Sequence, residues 1–178
     1  MLNGVVSAVV IALCMITSGN SFAQSETQKG PRAQTADALP AWIVSCSNAN
    51  SAGAFNCTME QTLFVSSSGQ RLLAMKLVRN PSDRAQVVAT LSLPHGILLD
   101  EGATFWVDDG AKSVATISHA DASGSYATFQ LEPKLADALR RGKVFNISAK
   151  SLDGEDFVFG LSLVGFSAVY DILMGAKP

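Results

Sequence analysis

Residues able to do chemistry are scarce in this chain, which has two histidines and three cysteines among 178 residues. Nucleophilic catalysis needs a hydroxyl or thiol held against a base, acid-base catalysis needs a positioned histidine or paired carboxylates, and a metal needs converging ligands. His95 and His119 lie in separate segments, each at an expected turn or strand end, and do not form a His-x-x-x-His pattern. They read as isolated surface histidines. Gly160-Leu161-Ser162-Leu163-Val164-Gly165 imitates a nucleophile elbow, but its second glycine comes one place late and no strand-to-helix turn follows. Ser162 is expected to be an ordinary strand residue. Asp100-Glu101, Asp108-Asp109 and Asp153-Gly154-Glu155-Asp156 offer oxygen ligands, yet none matches the twelve-residue calcium loop. They read as solvated hairpin turns. The expectation is therefore no catalytic residue, no metal site and no cofactor.

The cysteines point to structure instead. Cys46 and Cys57 admit one intramolecular pairing and lack the Cys-x-x-Cys spacing of a redox pair. A disulfide closing so short a loop stabilises by roughly 3 kcal/mol. Cys14 sits apart, in an apolar run from Val5 to Ile16. That run is shorter than the roughly 20 residues needed to cross a bilayer. It precedes Ser21-Phe22-Ala23, a small-x-small cleavage pattern, so residues 1–23 read as a secretory signal peptide. A periplasmic or secreted location, with no transmembrane anchor after cleavage, follows from that reading.

These residues must be positioned by a fold. The formal charge of -2 gives no basic footprint for nucleic acid. Residues 24–39 are almost free of large apolar side chains and read as a flexible leader, leaving residues 40–178 as a single domain. Trp42, Val44 and Cys46 alternate with Ile43 and Ser45 at strand period, and Phe55 to Val65 returns after the turn-rich tip Asn48 to Gly53. Trp42 is expected to pack over the disulfide on the same strand face. Further strands are predicted at Arg71 to Arg79, Ala85 to Leu93, Phe105 to Val107, Val114 to Ser118, Tyr126 to Leu131, Lys143 to Lys150 and Phe157 to Val164. Pro133 and Gly142 bracket a helix over 133–141, and Phe166 to Leu173 carries a second short helical pattern. Short strands at regular spacing predict an all-β fold, a β-sandwich of about nine or ten strands with one or two short peripheral helices. Phe105 and Trp106 must point to opposite faces of their strand. Trp106, with His95 and His119, is the candidate contact for a partner.

The order of landmarks adds a resemblance. Trp42, Cys46, Cys57 and Gln61 are followed by Leu93-Pro94-His95-Gly96-Ile97-Leu98-Leu99 and Gly102, by Val107-Asp108, and by Leu161-Ser162-Leu163 with Gly165-Phe166-Ser167-Ala168. Over roughly residues 41 to 170 this resembles the invasion-associated locus B family of exported bacterial proteins. The resemblance implies a compact β-rich domain, associated in some pathogens with entry into host cells and without an established catalytic activity. It also implies a second cysteine pair, where this chain has Ala120 and Ser125. The function expected on these grounds is an exported, non-enzymatic binding or envelope-associated protein, monomeric, with an unknown protein or envelope partner. Alternatives are a structural role in envelope integrity and a periplasmic hydrolase built on His95, His119 and nearby acids.

Overall fold

The structure, a computed structural model, describes residues 42–47 and 55–175. The signal peptide, the leader and the Asn48 to Gly53 tip lie outside the described residues. Those residues form ten strands and two helices. A six-stranded antiparallel sheet has the order β1 (Ile43–Ser47), β2 (Asn56–Phe64), β3 (Arg71–Arg79), β4 (Val87–Leu93), β8 (Gly124–Gln130) and β7 (Ile117–Asp121). A four-stranded antiparallel sheet has the order β10 (Asp156–Ser162), β9 (Val144–Lys150), β5 (Ala103–Val107) and β6 (Ser113–Ala115). The fold is a β-sandwich.

Alternation explains the two layers. Along β9, Phe145, Ile147 and Ala149 are buried while Asn146 and Ser148 stay half-exposed, the period of a strand with one wet face. Met59, Leu73, Met75, Leu77, Leu91 and Leu93 supply the facing layer, all fully buried. Phe105 of one sheet stacks on Phe129 of the other with centroids 4.5 Å apart and leans on Phe145 at 5.7 Å. Truncating Phe145 to alanine would cost about 3–5 kcal/mol.

The predicted strand Val114 to Ser118 is two strands. The chain pairs with β5 as far as Ala115, leaves the sheet at Thr116, and joins β8 of the other sheet from Ile117. A continuous β-propensity hides a corner of this kind, because each half meets its own partner by long-range pairing. Trp42 also departs from expectation. It precedes β1 and donates from Nε1 to the Ser162 carbonyl oxygen at 2.8 Å, with its ring edge-on to Phe166 at 5.1 Å. Four residues of extended chain, roughly 13 Å, separate it from Cys46. The end of β10 thus satisfies the indole N–H, and Phe166 of helix α2 (Phe166–Gly175) packs against its ring.

Helix α1 (Pro133–Arg141) buries Ala136 and Leu139, and α2 buries Phe166, Tyr170 and Leu173. Arg140 Nη1 meets Asp171 Oδ1 at 2.6 Å, and its guanidinium lies 5.6 Å from the Tyr170 ring centre, so the end of α1 is tied to α2. The hydrogen bond it donates to Asp171 holds Arg140 above its ordinary pKa, while burial pushes the Tyr170 phenol up. Gly142, after α1, has φ −77°, so no left-handed backbone demands it. Space does, because a Cβ there would collide with Val107 Cγ1 and sit 3.1 Å from Asp108 Oδ2.

Candidate functional site

Both histidines are drawn to the β7–β8 hairpin. His95 follows β4, and its Nε2 lies 3.3 Å from the Ala122 carbonyl oxygen at the hairpin turn. His119, on β7, stacks on its cross-strand partner Tyr126 at 4.7 Å and 12°, with Nδ1 2.9 Å from Ser118 Oγ. Asp121 Oδ1 accepts from Ser123 N at 2.7 Å and from the Tyr126 hydroxyl at 3.2 Å. The Ser123 amide, then the Tyr126 hydroxyl and the charge of His119, hold the Asp121 carboxyl below its usual range. Arg71 Nη2 donates to the Ser123 carbonyl oxygen at 2.6 Å, and Gly124, at φ +146°, leaves no room for a Cβ against the Leu93 carbonyl oxygen. These contacts fasten a turn at the edge of the sheet. Among the described residues, no group of three His, Cys, Asp or Glu side chains is placed to hold a metal ion. Ser162 lies at the end of β10, and its Oγ accepts from Val164 N at 3.3 Å.

Trp106 is elsewhere. It stands on the outer face of the four-stranded sheet beside Asn146, half-buried, with Lys112 Nζ 4.6 Å from the ring centre. The structure thus gathers His95 and His119 at one hairpin and separates Trp106 from them.

A concave site does exist, and it uses the other side of β5. Phe105 and Val107 of β5 and Phe129 of β8 floor a cleft of about 420 Å³; Leu135 and Ala138 of α1 make one wall, and Gly110, Ala111 and Ser113 the other. That volume falls in the range of roughly 300–1,000 Å³ typical of ligand sites. Glu132, Lys134 and Gln130 stand at its polar margin, with Gln130 Nε2 donating to Gln86 Oε1. Asp108 fixes the distance between the walls. At φ +48° it turns the chain out of β5, and its carboxylate accepts from Lys143 N at 3.0 and 3.1 Å and from Val144 N at 2.9 Å. One side chain therefore ties the start of the 108–112 loop to the chain leaving α1. Sequence reasoning took Asp108 for a turn acid and Phe129 for a strand residue. Phe105 and the Val107-Asp108 step stood out in the sequence, but neither carried a partner across the sandwich.

The two edges of the six-stranded sheet are built alike. At one edge Cys46 and Cys57 are direct partners across β1 and β2, disulfide-bonded, with Cα atoms 4.0 Å apart. At the other edge Ala120 and Ser125 are direct partners across β7 and β8.

Comparison with known proteins decides the family. The model of the "Invasion associated locus B (IalB) protein" family matches residues 42–174. The chain belongs to the invasion-associated locus B family. Two invasion protein B homologs, from Brucella abortus strain 2308 and from Brucella abortus biovar 1 strain 9-941, are each 32% identical to it over 131 residues, 73% of either chain. The crystal structure of invasion associated protein B from Bartonella henselae superposes with a TM-score of 0.67 at 22% identity, covering 78% of this chain and 94% of that one. The last likeness speaks for the shared fold. Within this invasion-associated locus B chain, the cross-strand positions 120 and 125 hold alanine and serine, so the Cys46–Cys57 bridge closes only one edge of the sheet. Among the described residues no helix is long and apolar enough to cross a membrane.

Proposed function

We propose that this invasion-associated locus B protein is an exported, non-catalytic binding domain, active in the periplasm or outside the cell after removal of residues 1–23. In this reading it serves host-cell interaction by taking an apolar side chain of a protein partner into the cleft beneath α1. The open apolar cleft of about 420 Å³, floored by the stacked Phe105 and Phe129, is the observation that carries the reading. Its margin supports a peptide as the occupant, because Glu132 and Lys134 offset each other and present no single-sign field for a polyanion or a charged lipid. Anchoring an aromatic or aliphatic side chain in such a pocket is how few residues carry most of an interface's energy. The engagement of both histidines in the hairpin, away from the cleft, favours binding over hydrolysis. The disulfide fits an oxidising compartment.

Panning a random peptide library on the purified protein tests this. Enriched peptides are expected to share a Phe, Trp or Leu anchor and to bind Ala138→Phe, which fills the cleft, at least tenfold more weakly at unchanged thermal stability. Equal binding to both proteins would overturn the assignment.

A further inference from the structure

Four strands end the two sheets, β1 and β7 in the larger, β10 and β6 in the smaller. Natural sheets blunt such edges with short strands, bulges, proline or charge, because a bare edge offers a row of backbone donors and acceptors to any extended chain. β6 is three residues long, β1 is five, and β7 is broken by a register shift between Ile117 and His119. β10 is different. It runs seven residues in unbroken register with β9 and contains no proline, lysine or arginine.

The phase of the β9–β10 ladder shows which backbone groups face outward. One position past either end of the paired run, Leu163 N donates to the Lys143 carbonyl oxygen at 2.9 Å and Ser151 N to the Glu155 carbonyl oxygen at 2.8 Å. Bonded and non-bonded pairs alternate along an antiparallel ladder. Phe157, Phe159 and Leu161 therefore bond to β9, while Asp156, Val158, Gly160 and Ser162 turn their N–H and C=O away from it. The Ser162 carbonyl is taken by the Trp42 indole. Among the described residues no strand pairs with the outward groups from Asp156 to Gly160, and Val158, at their centre, is 46% exposed.

Such an edge fits a second copy of itself. A two-fold axis beside Val158 pairs the whole free stretch: Val158 faces the second copy's Val158, and Asp156 faces its Gly160, which has no side chain to obstruct. On the core side the same register sets Phe157, half-buried, against the second copy's Phe159. Aromatic and β-branched cross-strand pairs are the stabilising contacts of a sheet. Charge selects the antiparallel direction. Asp153, Glu155 and Asp156 lead into β10 and Lys143 lies beside its end, so antiparallel pairing brings each acidic turn to the other copy's lysine, whereas parallel pairing would bring acid to acid.

We propose that β10 is a dimerisation edge, joining antiparallel to the β10 of a second copy about a two-fold axis at Val158 and making one continuous sheet of the two four-stranded ones. This replaces the monomer expected from sequence. β9 separates the edge from the cleft beneath α1, so the dimer keeps both clefts open and presents them together to a bivalent partner.

Sedimentation velocity of the protein from Gln24 onward, over a concentration series, tests the proposal. A monomer–dimer equilibrium is expected. Val158→Lys, which sets two ammonium groups together on the axis, should weaken it about tenfold or more. Val158→Thr should retain it, and Val114→Lys, on the β6 edge of the same sheet, should match the parent protein. Directly bonded cross-strand partners have Cα atoms about 5.5 Å apart, within the span of a disulfide. Val158→Cys should therefore form a disulfide-linked dimer under mild oxidation, and Val114→Cys should not. Thermal melts of dilute protein show which variants are folded, and the two cysteine variants decide if Val158→Lys is not. A parent protein that stays monomeric to about 1 mM would overturn the proposal and leave the edge to the leader or to a strand of another protein. A dimer unchanged in Val158→Lys would overturn it equally.

Discussion

A cross-link placed at the open edge of the six-stranded sheet should behave like the one at the closed edge. Ala120 and Ser125 are direct partners across β7 and β8, as Cys46 and Cys57 are across β1 and β2. Replacing both, Ala120→Cys with Ser125→Cys, should therefore form a second disulfide under mild oxidation without moving the backbone. The loop it closes is about six residues, for which the chain-entropy model gives about 2 kcal/mol. For a domain of this size that corresponds to a rise in Tm of roughly 4–9 °C. Reduction breaks both bridges, so the useful quantity is the Tm lost on reduction by the variant minus that lost by the parent. Thiol titration and intact mass report whether the bond forms. Ser125 is 2% exposed, so the hydroxyl-to-thiol change alters packing, but that cost is common to both redox states of the variant and cancels. Free thiols at 120 and 125 in folded, oxidised protein would refute the register assigned to β7 and β8.

Other perturbations test the supports of the cleft beneath α1 and of the sheet edges. Asp108→Ala removes the acceptor for Lys143 and Val144 and leaves alanine at φ +48°, so it should cost about 3 kcal/mol in denaturant melts; Asp108→Asn, which tolerates that backbone and keeps one acceptor, should cost about 1 kcal/mol. Removing the native bridge with Cys46→Ala and Cys57→Ala should cost about 3 kcal/mol in denaturant melts for a sequence separation of 11. The Asp121 carboxyl has its pKa lowered by the Ser123 amide first, so its stabilisation of the hairpin is present above the ordinary carboxylate pKa and is lost as pH falls through the lower folded value. In Asp121→Asn the part of the acid melt below about pH 4 should flatten, as followed by the ring resonances of His119 and Tyr126; an unaltered acid limb would contradict that role.

Much of the fold was legible because its signals are local. The run Arg71–Arg79 places Leu73, Met75 and Leu77 at strand period and is strand β3 with those bounds, and Pro133 before and Gly142 after suffice to bracket α1. Phe166, Tyr170 and Leu173 share a buried face of α2, as helical spacing from Phe166 requires. What depended on long-range contact was lost. Nothing near Trp42 tells that its indole reaches a carbonyl 120 residues away, and nothing at Thr116 marks the change of sheet. The cleft beneath α1 was illegible for the same reason, since Phe105 and Phe129 belong to different sheets and meet only when the sandwich closes. The resemblance located the fold, while of the adjacent pair Phe105-Trp106 the sequence singled out Trp106. Trp106 faces outward under Lys112, and its neighbour lines the cleft.

Amide and methyl NMR mapping, with a peptide selected on the folded protein, tests most directly whether the cleft beneath α1 is the partner site. Binding there should shift or broaden the resonances of Phe105, Phe129, Leu135 and Ala138 in proportion to saturation, leaving His95 and His119 unmoved. Perturbations confined to the β7–β8 hairpin, with the cleft residues silent, would contradict it.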